Sequence, residues 1–146
     1  MRKLRAMNEA DAIRQILTHA RTIAVVGLSP DPTRPSFEVA RTLQARGYRI
    51  IPINPNATEI LGETAYPSLT EAAQHHVIEV VNCFRRSKDI PPIVDEAIAI
   101  KAKAVWMQLG ISHAAAAQKA QAAGLRVVQN KCIKTEHAVL SARGVI

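Results

Sequence analysis

A short run of small and β-branched apolar residues that ends in a glycine constrains this chain most. Thr22–Val26 is typical of a buried strand, and Gly27 and Ser29 follow it in a polar loop with three prolines. A helical pattern begins at about Phe37, and a second apolar run covers residues 48–53. This succession predicts a βαβ unit. In open α/β sheets, the turn after such a first strand often lies beside the phosphates of a nucleotide-like ligand.

The alternation of strand and helix continues along the whole chain. We predict five strands at residues 22–26, 48–53, 77–82, 104–109 and 125–129, with helical patterns between them. Most of these strands are near-continuous apolar runs, which is typical of a parallel sheet covered on both faces. A chain of 146 residues fits one domain, so we expect a single α/β domain over residues 1–146.

The charge of the chain favours an anionic partner. The formal net charge is +7, from 19 Lys and Arg against 12 Asp and Glu. The basic residues are scattered, with their largest groups at residues 2–5, 85–88 and 101–103, so a nucleic-acid partner is not favoured over a ligand with several phosphates. No apolar run approaches the ~18 residues of a membrane span. No apolar h-region follows the basic start, so a signal peptide is not expected. We expect a cytoplasmic protein with Cys83 and Cys132 as free thiols.

Two features argue against NAD as the ligand. The dinucleotide fingerprint G-x-G-x-x-G would require glycine where the chain has Ser29 and Pro32. An NAD site also places an acidic residue near the end of the second strand, where this chain has Asn54 and Pro55. The nearest acid is Glu59.

Further candidate ligand contacts follow the third and fourth strands. Val81 and Phe84 could enclose an adenine ring, and Arg85 or Arg86 could meet a phosphate. The carboxyl end of the fourth strand provides polar or flexible positions at Gln108 and Gly110, whereas the neighbouring tryptophan is expected in the core.

Several of these motifs together resemble the small stand-alone CoA-binding domain proteins. The matching segments are residues 24–29 (AVVGLS), 34–36 (RPS), 52–55 (PINP), 61–62 (LG), 84–85 (FR), 106–110 (WMQLG) and 130–137 (NKCIKTEH). The resemblance covers about residues 10–141. The family is similar to the CoA-binding domain of succinyl-CoA synthetase α chains and related acyl-CoA synthetases.

The resemblance implies a Rossmann-like, doubly wound sheet that holds CoA by its phosphates and adenine. Gly27 and Ser29 would serve the phosphates, Asn54 and Pro55 the nucleotide, Val81 and Phe84 the adenine, and Gln108 and Gly110 the pantetheine arm. The complete predicted set of cofactor-binding residues is Gly27, Ser29, Arg34, Asn54, Pro55, Val81, Phe84, Arg85, Gln108, Gly110 and Cys132.

The resemblance and the wide loop after Gly27 also predict the strand order 3-2-1-4-5. The flavodoxin order 2-1-3-4-5 is the alternative. The related ligases carry a phosphorylated histidine on a further domain and an ATP-grasp partner. This sequence has neither, so ligase activity is not expected.

Little in the sequence indicates catalysis. None of the five histidines stands with cysteine or carboxylate at metal-ligand spacing, and no P-loop or nucleophile elbow is present. We therefore expect a binding protein for CoA or an acyl-CoA, without a metal. The alternatives are an enzyme that acts on a CoA thioester through Cys132 or His137, and a nucleotide-binding regulator of nucleic acid. Because Lys131 and Lys134 favour a thiolate, Cys132 is predicted to be the more reactive thiol, with a buried inert cysteine as the alternative.

Overall fold

Five apolar segments pair into one parallel sheet in the structure, a computed structural model that describes residues 8–146. The basic group at residues 2–5 lies outside this range. The strands of the sheet are β1 (Thr22–Val26), β2 (Arg49–Ile53), β5 (Val80–Cys83), β6 (Ala104–Met107) and β7 (Arg126–Val128). A two-stranded antiparallel hairpin of β3 (Glu59–Ile60) and β4 (Glu63–Thr64) forms a second, separate sheet. The predicted five-stranded parallel sheet of Rossmann-like type is confirmed.

The strand order corrects one part of the prediction. The order is β2-β1-β5-β6-β7, so the five predicted strands, counted along the chain, stand as 2-1-3-4-5. The assignment of residues 77–82 to the outer side of β2 is wrong, because that segment forms β5 between β1 and β6.

A single residue takes the outer position beside β2. Tyr66 forms an isolated parallel bridge with Ile53. Its N–H donates to the carbonyl of Pro52 at 3.0 Å, and its own carbonyl accepts from the N–H of Asn54 at 2.9 Å. If the bridge at Tyr66 is counted as a one-residue strand outside β2, the strand order around β1 is the Rossmann-like one. The polar segment after β2 has no apolar run that could form a full strand there, and the next apolar run of the chain forms β5 beside β1.

Six α-helices within residues 8–146 cover the sheet. They are α1 (Glu9–His19), α2 (Pro35–Ala45), α3 (Leu69–Ala72), α4 (Ile90–Ala99), α5 (Ala114–Ala122) and α6 (Ile133–Ala142), with a 3₁₀ turn at Ser87–Asp89 before α4. Asn8 and Ser68 cap α1 and α3 by accepting the N–H of the residue three positions on, at 2.8 and 3.1 Å. Ser36 lies inside the first turn of α2, because the helix begins at Pro35.

The core has two halves, one on each face of the sheet. Residues of α1, α2 and α6 pack against one face, where Trp106 is fully buried and its Nε1 donates to the carbonyl of Lys131 at 2.8 Å. Residues of α3, α4 and α5 cover the other face, which contains Val81 and Cys83. Complete burial raises the pKa of the Cys83 thiol to about 12. No helix within residues 8–146 is long and apolar enough to cross a membrane.

Candidate functional site

A cleft with a volume of about 470 Å³ opens at the carboxyl ends of β1 and β2, on the side of α3 and α4. Its walls come from the strand ends, the connection between β5 and α4, the start of α3 and the first two turns of α4. The lining residues are Val26, Gly27, Ser29, Ile53, Asn54, Pro55, Asn56, Pro67, Ser68, Leu69, Arg85, Asp89, Pro92, Ile93 and Glu96. This is the edge where open parallel sheets bind their ligands.

Gly27 lets the connection after β5 cross directly over the end of β1. Its φ is +85°, and a Cβ at this position would lie 2.5 Å from the backbone oxygen of Phe84 and 3.0 Å from Cδ of Arg85. The N–H of Gly27 donates to the carbonyl of Ile53 at 3.1 Å, which extends the pairing of β1 with β2. Glycine is therefore required at this position because the Phe84 backbone lies so close to it, and its N–H already donates to Ile53.

The loop between β1 and α2 is held by its own polar groups. The N–H of Ser29 donates to Oγ of Ser36 at 3.0 Å, and Oγ of Ser29 accepts from the N–H of Asp31 at 3.1 Å. Hydrogen bonds from Thr33 lower the pKa of the Asp31 carboxyl. Within residues 8–146 the hydroxyl hydrogen of Ser29 donates to no other group.

Asn54 joins this loop to the end of β2. Its Nδ2 donates to the carbonyl of Leu28 at 2.9 Å, and its Oδ1 accepts from the N–H of Asn56 at 2.7 Å. The side chain thus fixes the backbone on both sides of the cleft mouth.

Arg85 is the Lys or Arg side chain that lines this cleft among residues 8–146. Its side chain packs over Gly27 and lines the cleft, and it makes no hydrogen bond or ion pair with any residue of the described range 8–146. The adjacent Arg86 is different, because its Nε lies 3.7 Å from a carboxylate oxygen of Asp89. On the opposite wall, Glu96 is engaged through Oε2, which accepts from N and Oγ1 of Thr70 at 2.9 and 2.8 Å.

The structure brings together five of the eleven predicted binding residues in this cleft: Gly27, Ser29, Asn54, Pro55 and Arg85. The other six lie elsewhere, and a ligand contact by any of them stays a prediction. Arg34 is exposed, with its Nε 3.9 Å from the carboxylate of Asp31. Val81 is fully buried under α4 and α5, whereas Phe84 packs against the core on the other face.

The last three of these residues belong to the carboxyl ends of β6 and β7. Gln108 is buried, donates to Oδ1 of Asn82 at 2.6 Å and accepts the N–H of Ile133 at 3.4 Å. The N–H of Gly110 donates to Oδ1 of Asn130 at 2.7 Å, and Cys132 directly precedes α6.

Sequence reasoning missed the wall formed by α3 and α4. Pro67, Leu69, Pro92 and Ile93 give this wall its apolar surface. The bridge between Tyr66 and Ile53 brings the segment before α3 to the end of β2. A one-residue bridge leaves no hydrophobic pattern in the sequence from which it could be predicted. The capping pattern at Ser68 does predict where α3 begins, and it was the one sequence signal for this wall.

Neither Cys132 nor His137, the two alternative catalytic residues, lines the cleft. Nδ1 of His137 lies 3.1 Å from Nη1 of Arg46, and the ring meets the edge of Tyr48 at a centroid distance of 5.5 Å. Burial, assisted by the Arg46 charge, lowers the pKa of His137. Within residues 8–146, no three His, Cys, Asp or Glu side chains are grouped so that they could hold a metal ion.

Both lysines beside Cys132 are paired with carboxylates. Lys131 forms an ion pair with Glu9, and Nζ of Lys134 lies 2.7 Å from a carboxylate oxygen of Glu38. The charges expected to favour a thiolate are therefore compensated nearby. The greater reactivity of Cys132 stays a prediction.

Comparison with known proteins gives a consistent result. Residues 21–138 match the model of a family described as CoA binding domain. The chain is 41% identical over 127 residues to an uncharacterized protein, YneT, of Bacillus subtilis, which covers 87% of this chain and 93% of that protein. It is also 34% identical over 92 residues to acetate–CoA ligase [ADP-forming] II of Archaeoglobus fulgidus, but this match spans only 11% of the ligase and 61% of this chain.

Solved structures show the same architecture. A hypothetical protein from Pyrococcus horikoshii superposes with a TM-score of 0.86 at 38% identity, covering 97% of this chain and 99% of that one. A protein from Thermus thermophilus, described as cell-free ID.343, gives a TM-score of 0.83 at 34% identity, covering 92% and 99%.

Proposed function

Because the chain belongs to the CoA-binding domain family, we propose that it binds CoA or an acyl-CoA in the cleft at the carboxyl ends of β1 and β2. The observation that carries this proposal is Arg85. The absence of a side chain on Gly27 leaves room for Arg85 to reach the cleft, where it has no carboxylate partner within residues 8–146.

Side chains rather than backbone amides receive the phosphates in this proposal. The amides of Gly27 and Ser29 are engaged with Ile53 and Ser36. The guanidinium of Arg85 and the hydroxyl of Ser29 remain as donors, and a charge-assisted hydrogen bond from arginine to phosphate is among the stronger polar contacts.

The apolar wall suits the adenine ring. Leu69, Pro92 and Ile93 line one side of the cleft, and Pro55 lies at the end of β2. The cleft volume of about 470 Å³ is typical of a site for a small organic ligand. The pantetheine arm then runs along the carboxyl edge towards Gly110 and Cys132, with no catalytic step assigned to the protein.

Calorimetry with CoA, dephospho-CoA and NAD tests the proposal. We expect CoA to bind better than NAD, because Asn54 at the end of β2 offers an amide instead of the carboxylate that NAD sites use. Equal affinity for NAD and CoA, or no binding of CoA, would overturn the proposed function.

The site itself is tested by two neighbouring arginines. Arg85→Ala should weaken CoA binding by roughly 10- to 100-fold, as for the loss of a charged hydrogen bond. Arg86→Ala is the matched control, because Arg86 is adjacent, equally charged and already paired with Asp89. If both variants bind CoA like the wild type, CoA binds elsewhere on the protein.

A further inference from the structure

The amino ends of the strands carry a row of charged residues that the cleft does not use. The residue at or just before the start of each strand is Arg49, Arg21, Glu79, Lys103 or Arg126, in order across the sheet. Backbone hydrogen bonds join this row: Arg49 N–H to Arg21 O at 2.7 Å, Lys103 N–H to Glu79 O at 2.8 Å, and Arg126 N–H to Lys103 O at 2.9 Å. Four of the five side chains are basic.

A cavity of about 240 Å³ lies in this row, beneath the C-terminal half of α1. Its floor is apolar, formed by Ile16, Ala20, Val80 and Ala104. Its polar lining is formed by Gln15, His19, Glu79, Lys103 and Arg126. The cavity is smaller than the ~300 Å³ at which pockets for drug-sized ligands begin, so it suits a small molecule.

Arg126 is the Lys or Arg side chain of this cavity that forms no ion pair within residues 8–146, whereas Lys103 faces Glu79. Its Nε–H is buried and donates no hydrogen bond to any residue of the range 8–146, and its guanidinium makes no ion pair there. An unsatisfied buried donor costs free energy comparable to a lost hydrogen bond. A planar, permanently charged guanidinium favours a carboxylate or a phosphate.

The other charged side chains of the row each have a partner. The guanidinium of Arg21 donates to the carbonyl of Ala20 at 3.1 Å, and Arg49 lies 3.5 Å from Glu63. Oε1 of Glu79 accepts from the N–H groups of Arg21 and Thr22 at 2.9 and 3.1 Å, while its Oε2 lies 3.9 Å from Nζ of Lys103. The acid in the cavity is thus occupied, and Arg126 keeps an uncompensated positive charge.

We propose that this cavity is a second binding site, for a small anion whose phosphate or carboxylate group is held by Arg126 with assistance from Lys103. The apolar floor formed by Ile16 and Val80 receives the remainder of the molecule. The site lies at the edge of the sheet opposite the cleft, and it does not depend on CoA binding.

Nuclear magnetic resonance of the arginine Nε–H groups in the full chain tests this site directly. Inorganic phosphate and butyrate are titrated separately, at constant ionic strength set with sodium chloride. We expect the Arg126 Nε–H resonance to shift along a saturable curve. Saturation by phosphate alone identifies a phosphate site, and saturation by butyrate, alone or at lower concentration, identifies a carboxylate site.

Two substitutions complete the test. Arg126→Gln should abolish the saturable shifts at neighbouring backbone amides, and Lys103→Gln should weaken binding by roughly threefold or more, as for a partly exposed charge. Arg143→Gln removes the same charge from an exposed position at the end of α6 and should leave binding unchanged. Shifts that are linear, equal at all arginines or retained in Arg126→Gln would overturn the site.

Discussion

At the scale of single residues, Gly27 is needed for a reason other than the predicted one. The sequence suggests a glycine whose backbone approaches a phosphate. In the structure the close approach is by the Phe84 carbonyl, 2.5 Å from where a Cβ would stand, and the Gly27 amide is bonded to Ile53. Its position directly after β1 could be read from the sequence, but the identity of the group that approaches it depends on the strand order.

Gly27→Ala should therefore lower the free energy of unfolding more than a glycine substitution elsewhere. Gly47→Ala is the control, because Gly47 also has a positive φ, of +99°, but nothing within 4 Å of a Cβ. We expect about 1–2 kcal/mol for Gly47→Ala from backbone strain, and a larger loss for Gly27→Ala because the clash adds to that strain. Urea denaturation measures both, and equal losses would contradict the close approach.

Two histidines give a second prediction at this scale, on how stability depends on pH. Burial is the first cause that lowers the pKa of both His76 and His137 from 6.5. The unfolded chain then binds protons more readily than the folded one, so stability is lost as the pH falls through 6.5 towards the lower folded-state values. His76→Gln with His137→Gln should reduce this loss in urea denaturation between pH 7 and pH 5, and an unchanged pH dependence would contradict the prediction.

At the scale of elements, the end of β2 and the loop after β1 act together. Asn54 holds the Leu28 carbonyl at 2.9 Å and the Asn56 amide at 2.7 Å. Asn54→Ala should cost about 1–3 kcal/mol of stability because it leaves these groups without their partner. Asn56→Ala, at an exposed neighbouring position of the cleft, is the control and should cost less. Similar losses for the two variants in thermal unfolding would show that the Leu28 contact does not hold the loop.

The elements themselves were predictable where an apolar run coincides with a strand. All five predicted strands form, because each buries most of its side chains between two helical layers. Their order was not predictable in full, since the position outside β2 is taken by Tyr66 alone. The same limit applies to the site: Asn54 and Arg85 follow strands directly and could be predicted, whereas Leu69 and Ile93 reach the cleft only through helix packing.

At the scale of the whole molecule, the positive charge is less scattered than the sequence suggests. Lysines and arginines far apart along the chain meet because parallel strands all begin at one edge of the sheet. Lys103 and Arg126 are neighbours there through a backbone hydrogen bond of 2.9 Å, although 22 other residues separate them in the chain. The cleft at the opposite edge has Arg85 as its cation, so the net charge of +7 acts on a ligand there mostly from a distance.

This arrangement predicts how salt affects CoA binding. The Debye length is about 10 Å at 0.1 M salt, so added salt screens the distant charges and weakens the attraction for the CoA phosphates. CoA affinity should fall as sodium chloride rises from ~50 to ~300 mM, and dephospho-CoA should show a shallower dependence because it carries fewer charges. Arg85→Ala should also reduce the slope, because it removes the cation in direct contact, whereas Arg86→Ala, whose charge is offset by Asp89, should keep it. Calorimetry over a salt series measures all four slopes. A slope for CoA equal to that for dephospho-CoA, or unchanged by Arg85→Ala, would mean that the phosphates do not lie against Arg85.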